Sequence, residues 1–248
     1  MGRFLAAAAA IVVSFVGAVG AMPATARTLD DIIKSGTIRI GVNPTLPPLG
    51  KYNDKNEVVA VNSPDRIPFV TSGKVDAVLG GMTRNTERAK VIAFSAPVYT
   101  EALGVLTTQD KPFASWQDLD KPGVTLVEVR GTTPVTFIQA NVKNAKLLLL
   151  DNYPDVIRAL AQGRGDAMID VVDYVGDYMN QYQVKWKVLK EPIDVDYDGI
   201  GLAKDATGLK DWLNVAVFSL HRSGKTAELW KKWFGIDMLF PVPITPFF

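Results

Sequence analysis

Between Ser72 and Arg88 the chain reads Ser-Gly-Lys-Val-Asp-Ala-Val-Leu-Gly-Gly-Met-Thr-Arg-Asn-Thr-Glu-Arg, a stretch whose polar groups suit the recognition of a carboxylate. The apolar run Val75 to Leu79 predicts a buried strand. Gly80 and Gly81 end it and let backbone come close to a bound molecule. Thr83 adds a hydroxyl, and Thr86 with Glu87 opens a helix whose first N–H groups lack intrahelical partners. Arg88 falls in that first turn, where a guanidinium can grip a carboxylate through two parallel hydrogen bonds. In isolation the same letters also describe a strand, a glycine turn and a surface arginine.

An internal echo favours the chemical reading. Shifted by 90 residues, Pro64, Asp65, Ile67, Gly73, Asp76 and Ala77 fall on Pro154, Asp155, Ile157, Gly163, Asp166 and Ala167, and Lys74 falls on Arg164. Twice the chain writes a Pro-Asp helix start, an apolar helix, a glycine stop with a basic residue, and an Asp-Ala strand. Such αβ units place ligands at the carboxyl ends of their strands. The loop after Leu79 offers the donors Gly80, Gly81 and Thr83, and the loop after Ile169 offers the acceptors Asp170 and Asp173. Facing each other, the two loops suit a zwitterion.

The elements that must position these loops follow from the pattern. Thr28 opens a short helix that Gly36 closes, a strand follows over 37–42, and Pro44, Pro47 and Pro48 stiffen the loop after it. A helix is predicted over 64–72, and Val98 to Thr107 reads as a long linker strand leaving one lobe. Strands over 124–129 and 146–150 flank Arg130-Gly131-Thr132-Thr133-Pro134, where Thr133 is placed as N-cap and Pro134 at the first helical position. The helix to about Lys143 then aims free N–H groups at the loop, an anion site. Val171 to Tyr182 reads as a helix, Lys185 to Leu189 as a strand, and Asp198 to Ala203 as a second, Gly-rich linker strand. Two helices finish the domain, with Trp212, Val215, Val217, Leu220, Leu229, Trp230 and Trp233 at helical spacing and expected in the core.

Composition bounds the function. Arg3, the apolar Ala-rich run Phe4 to Ala21 and Ala24-Thr25-Ala26 form a secretory signal peptide, with cleavage expected after Ala26. Of 248 residues, 222 then remain, and removing Arg3 leaves 26 basic against 26 acidic residues. No basic stripe is present to hold nucleic acid. With no cysteine there are no disulfides, thiolate metal sites or N-terminal lipid thioether, and a bacterial periplasm is the expected compartment.

The motifs together resemble a known family. Gly-Thr-Ile-Arg-Ile-Gly-Val (36–42), Arg-Ile-Pro (66–68), Ser-Gly-Lys-Val-Asp-Ala-Val (72–78), Gly-Gly-Met-Thr with Thr-Glu-Arg (80–88), Phe-Ser-Ala-Pro-Val-Tyr (94–99) and Arg-Gly-Thr-Thr (130–133) occur in the order seen in periplasmic amino-acid-binding proteins of ABC transporters, the family 3 solute-binding proteins. The resemblance implies an α/β, two-lobed type II periplasmic binding fold with two hinge strands closing over an amino acid. Lobe one would be 28–101 with 198–248, and lobe two 105–194. It implies that Arg88 pairs with the ligand carboxylate, that Gly81 and Thr83 bond carboxylate or ammonium, and that Thr132 and Thr133 donate from lobe two. The partners implied are an inner-membrane permease and a small ligand, with a monomeric chain and no cofactor.

The chain also departs from that pattern. The family's ammonium-binding acid falls on Val171, flanked by Asp170 at the strand tip, which is favoured, and Asp173. The family's aromatic ring after the first strand falls on Leu46, which weakens stacking on a ligand. Between Gly50 and Arg66 the chain is shorter than the family by about 25 to 30 residues, enough for one helix and one strand, so lobe one is expected to be reduced and the cleft wall open there.

One alternative keeps the scaffold and changes the activity. Cyclohexadienyl and arogenate dehydratases resemble this family, and their chemistry needs a positioned acid or base in the cleft. The one histidine, His221, lies on a C-terminal helix away from every loop named above. Binding without catalysis is therefore the expected function, and a receptor sensor module is disfavoured by the lack of an anchor in the mature chain.

Overall fold

The computed structural model describes residues 26–51, 58–189 and 191–244. The signal-peptide reading of residues 1–26 lies, except for Ala26, outside them.

The first part of the chain forms α1 (Leu29–Ser35), β1 (Ile40–Val42), β2 (Thr45–Leu46), β3 (Gly50–Lys51), β4 (Val59–Ala60), α2 (Arg66–Thr71), β5 (Ala77–Leu79), α3 (Thr86–Ala89) and β6 (Ile92–Phe94). The middle forms β7 (Tyr99–Thr108), β8 (Thr125–Val129), α4 (Thr133–Asn141), β9 (Lys146–Leu150), α5 (Tyr153–Ala161), β10 (Ala167–Val171), α6 (Gly176–Met179), β11 (Trp186–Val188) and β12 (Asp194–Asp198). The chain then returns through β13 (Gly201–Ala203), α7 (Thr207–Arg222) and α8 (Lys225–Phe234). Among the described residues no helix is long and apolar enough to cross a membrane.

Two sheets result. The first is ordered β4-β1-β5-β13-β6, and the second β11-β7-β10-β8-β9, with β12 also paired to β7. The chain passes between the sheets twice, from β6 into β7 and from β12 into β13. Those two crossings are antiparallel neighbours, Tyr99 opposite Asp198 and Glu101 opposite Asp196, so the sheets are joined by a two-stranded ribbon. The second linker is not one strand over 198–203 but two strands broken at Gly199 and Ile200. A Cβ on Gly199 would lie 2.9 Å from Arg84 Cδ, and the Gly199 N–H is turned to the Met82 carbonyl, so the break follows the close approach of the 82–84 loop.

The internal echo has a structural cause. Asp76 accepts the backbone N–H of Arg39 at 2.8 Å and returns its own N–H to the Arg39 carbonyl at 2.9 Å. Asp166 does the same with Thr125, at 2.7 Å in both directions. Each Asp therefore locks the start of its strand to the start of the parallel neighbour, β5 to β1 and β10 to β8, and sets which residues emerge at the far ends. Gly73 and Gly163, with φ of 68° and 69°, turn the chain out of α2 and α5 into these clamps.

The shortened region is organised differently from the expectation. The strand is retained: β4 pairs parallel to β1, Gly41 opposite Val59. The connection between them contains no helix among the described residues, only the hairpin β2–β3, held where Asn43 Oδ1 accepts the Thr45 N–H at 2.9 Å and Asn43 Nδ2 donates to Ser63 Oγ at 3.1 Å. Val58 and Val59 stay exposed on the outer edge. The wall expected to be open is instead filled by Leu46, which the hairpin folds inward into a core cluster with Tyr99 and Tyr174.

The C-terminal helices also correct the sequence reading. α7 buries Leu209, Leu213 and Val217, spaced one turn apart, against the first sheet. Trp212 and Val215 fall on the opposite face, 54% and 61% exposed, and Leu220, Leu229 and Trp233 are exposed as well. Trp230 is buried, stacked on Phe234 at 4.0 Å and 5.5 Å from Tyr99.

The clamp can be tested directly. Burial alone would raise the Asp76 carboxyl, but the Arg39 side chain and N–H, with the charges of Arg39 and Arg27, outweigh it and hold the group below its ordinary value. Its stabilisation is present above the unfolded carboxylate range and is lost as pH falls through the lowered folded value. Asp76→Ala is expected to lower stability by about 1.5–3 kcal/mol, the worth of charged hydrogen bonds, and Arg27→Ala by under about 1 kcal/mol. Urea denaturation at pH 7 and pH 3 checks both, and the Asp76→Ala deficit should shrink at the lower pH.

Candidate functional site

The carboxyl ends of β5 and β10 and the start of α4 meet around one enclosed cavity. Gly81, Thr83, Arg88, Thr132, Thr133 and Asp170 all line it. Asp173 does not. It lies in the turn after β10 and opens on a different small cavity, beside Trp230 and residues 236–240. The enclosed volume is about 10 Å³, close to that of one water-sized probe.

Gly80 and Gly81 adopt φ of 81° and 62°, the left-handed conformation that turns the chain out of β5. Arg66, buried in α2, holds this turn by donating to the carbonyls of Gly80, at 3.0 Å, and Gly81. Tyr99 Oη accepts the Gly81 N–H at 2.7 Å. The φ of 62° favours glycine at position 81, and a Cβ there would lie 2.8 Å from Leu46 Cδ2, so the inward-folded leucine would have to shift to admit one.

Arg88 reaches from α3 across the gap. Its Nη1 donates to the Thr83 carbonyl at 2.9 Å and its Nη2 to the Gly131 carbonyl at 3.3 Å, so one guanidinium touches both sides of the cleft. Burial and the neighbouring Arg66 bring it down to about 10, with Glu101, Asp198 and Tyr153 pulling the other way. Thr83 Oγ1 donates to Glu101 Oε1 at 2.7 Å and lies 3.1 Å from Thr133 Oγ1, a second bridge across the cleft.

On the far side, the N-cap of α4 is Thr132, one residue before the predicted Thr133, and Pro134 follows inside the first turn. The Thr132 hydroxyl is turned back to the Val129 carbonyl at 2.8 Å, so it caps no helix N–H. The shift is understandable, because Gly131 at φ 79° already ends the loop and the helical turn begins as soon as the chain leaves it. Free N–H groups at this end remain available to an anion.

Asp170 sits within β10, opposite Gly104 of β7. Its Oδ1 accepts the Val171 N–H at 2.7 Å, while its buried Oδ2 has no hydrogen-bond partner among the described residues. Burial pushes it up to about 7; the Val171 N–H, the nearby Tyr153 hydroxyl and the Arg66 charge work against this, and Glu101 adds to it. Beneath it, Glu128 is wholly buried and accepts the Ile169 N–H at 2.5 Å; burial and the adjacent Asp170 drive it well above the carboxylate range.

Sequence reasoning missed Arg66, Glu101, Tyr153 and Tyr174 as cavity residues. A signal existed for Glu101, and equally for Glu128: a single acid inside an otherwise apolar strand. For the two tyrosines there was none, since a buried tyrosine in a helix or turn reads as core. His221 is remote, bonded to the Pro97 carbonyl at 2.9 Å.

Comparison with known proteins agrees with this architecture. The glutamine-binding protein GlnH of the Bacillus subtilis ABC transporter is 27% identical over 186 residues, 74% of this chain and 66% of that protein. A glutamine-binding protein of Geobacillus stearothermophilus is 32% identical over 157 residues, 63% of this chain and 59% of that protein. The chain thus spans about two thirds or less of the length of these two relatives. Among solved structures, the ancestral amino acid-binding protein AncCDT-1, a precursor of cyclohexadienyl dehydratase, superposes with a TM-score of 0.75 at 25% identity, covering 83% of this chain and 98% of that one. The family model of the bacterial extracellular solute-binding proteins, family 3, matches residues 50–236. With its two sheets, double crossover and interlobe cavity, the chain belongs to that family.

Proposed function

We propose that the protein captures a small zwitterionic amino acid between lobe one, residues 28–101 with 198–248, and lobe two, residues 105–194, and presents it to the permease of an ABC importer. The observation that carries this reading is the convergence of the Arg88 guanidinium, the N-terminus of α4 and the unpartnered Asp170 Oδ2 on one cavity. In the bound state Arg88 exchanges its carbonyl partners for the ligand carboxylate, which the N–H groups after Thr132 and Thr133 receive from the other side. Gly81 and Thr83 border the ligand, and Asp170 accepts its ammonium group. Asp173, outside the cavity, keeps no part in this reading.

The names of the curated relatives support binding rather than catalysis. Export through a cleaved leader, with the mature chain starting after Ala26, fits a family described as extracellular. The link of one structural neighbour to a dehydratase makes turnover the proper control.

Screening the proteinogenic amino acids by thermal shift should find at least one that raises Tm, with no consumption of prephenate or arogenate. Arg88→Ala is expected to weaken that ligand by roughly 10-fold to 150-fold, the equivalent of about 1.5–3 kcal/mol for charged hydrogen bonds. Unchanged affinity by calorimetry would remove Arg88 from the site.

Asp170→Asn separates binding from stability. At pH 8 the native carboxylate is ionised and short of a partner, a state that burial penalises. The amide keeps the acceptor for the Val171 N–H and removes the charge. Ligand affinity should fall about tenfold or more while the ligand-free protein gains stability at pH 8, and the gain should shrink as pH falls from about 7 and vanish only below the ordinary carboxylate value of the unfolded chain, about 4. Equal affinity, or no gain at pH 8, would count against the assignment.

A further inference from the structure

We propose that the ribbon joining the two lobes contains a proton-binding site, made by Asp198 of β12 and Glu101 of β7, and that its proton holds the lobes together whichever solute is bound. Both side chains are buried, 1% and 6% exposed, and they belong to the two strands by which the chain crosses between the sheets. One Tyr174 hydroxyl stands between an oxygen of each, which sets the two carboxyl groups side by side; as two anions they repel, and one shared proton removes that repulsion.

The surroundings favour that proton. Tyr174 Oη lies 3.1 Å from Glu101 Oε2 and 3.4 Å from Asp198 Oδ2. Asp198 Oδ1 has no acceptor-satisfying donor among the described residues. The two facing cations, Arg66 and Arg88, direct their hydrogen bonds to the carbonyls of Ser63, Gly80, Gly81, Thr83 and Gly131 rather than to these acids. Asp170 and Asp196 add negative charge toward Glu101, and burial with Glu101 pushes Asp196 up to about 6. Burial first and Glu101 second raise Asp198 well above its ordinary value.

The pair is also a junction. Glu101 accepts from the Thr83 hydroxyl of lobe one, and the two acids share the single hydroxyl hydrogen of Tyr174 from lobe two. Hydrating this junction by parting the lobes lets Asp198 ionise at an ordinary carboxylate value, so opening releases a proton. A group raised in one state stabilises that state below its value and loses the effect as pH rises through it. The assembled hinge is therefore favoured at low pH and loosened at high pH.

The chain has no cysteine, so spin labels at Thr86→Cys and Gln139→Cys, exposed positions on α3 and α4, report the distance across the cleft in full-length, ligand-free protein. Pulsed EPR from pH 5.5 to 9 should show a short distance at the acid end. The open population should grow by up to about tenfold per pH unit for one released proton. Asp198→Asn and Glu101→Gln each supply a permanent amide donor to the remaining acid, and both should stay at the short distance across the range. If one variant fails to fold, the other carries the comparison. A wild-type distance that ignores pH, or an amide variant that opens with the wild-type profile, would overturn the proposal. Because no solute is added, either result is separate from whether an amino acid is the ligand.

Discussion

Charge buried between two sheets is the constraint to which the rest of this structure answers. Two guanidinium groups and the acids Glu101 and Asp170 line one cavity with room for about 10 Å³ of water-sized spheres, and Asp198 is buried beside Glu101, sharing the Tyr174 hydroxyl with it. Ions so placed lose several kcal/mol of hydration each unless neighbours replace the water. The arginines solve this with backbone: Arg66 ties down the Gly80–Gly81 turn, and Arg88 ties the 83 carbonyl to the 131 carbonyl. The acids solve it incompletely, since Asp170 and Asp198 each keep an oxygen without a donor. That asymmetry gives the site its chemistry. The cations are satisfied yet exchangeable, because a carboxylate is a better acceptor than a carbonyl, whereas the acids await a donor, whether an ammonium group or a proton.

The connection between β1 and β4 answers to the same constraint. Parallel strands need a connection of a dozen or more residues, commonly helical. Between β1 and β4 that length is supplied by the β2–β3 hairpin and the segment after it. The hairpin does what matters for the cleft, bringing Leu46 inward to dry its wall beside Gly81 and Tyr174. What it does not do is cover the outer face, where Val58 and Val59 remain in solvent. Apolar surface at an outer edge costs hydrophobic stabilisation, roughly 25 cal/mol per Å², but leaves the cleft charges undisturbed.

The sequence disclosed what local chemistry alone decides. Glycine at a positive φ, the Thr-Pro start of α4, and the doubled Asp-Ala strand were all legible, because each rests on a backbone requirement that few residues meet. The retained β4 was not legible, since two short valine-rich runs look alike whether they pair with β1 or merely flank a gap. Trp212 and Trp233 misled for a related reason: helical spacing shows that a stripe exists, but α7 turns the Leu209-Leu213-Val217 stripe to the sheet, and only tertiary packing chooses between stripes. Asp173 and Asp170 differed by three letters and were separated only by the direction of the chain after β10.

The doubled clamp acts on the cleft from a distance. Asp76 and Asp166 sit at the opposite ends of their strands from the cavity, so neither touches anything that binds. Yet each fixes the register of its strand against the neighbour, and a slip of one residue in a strand moves every side chain to the other face. For β10 such a slip would exchange Asp170 with Ile169 or Val171, placing an apolar side chain where the unpartnered oxygen now points. For β5 it would move the glycine turn off the Arg66 guanidinium. The repeat recognised as a pattern of letters is thus a pair of distant anchors, and the electrical character of the cleft depends on carboxylates that never enter it.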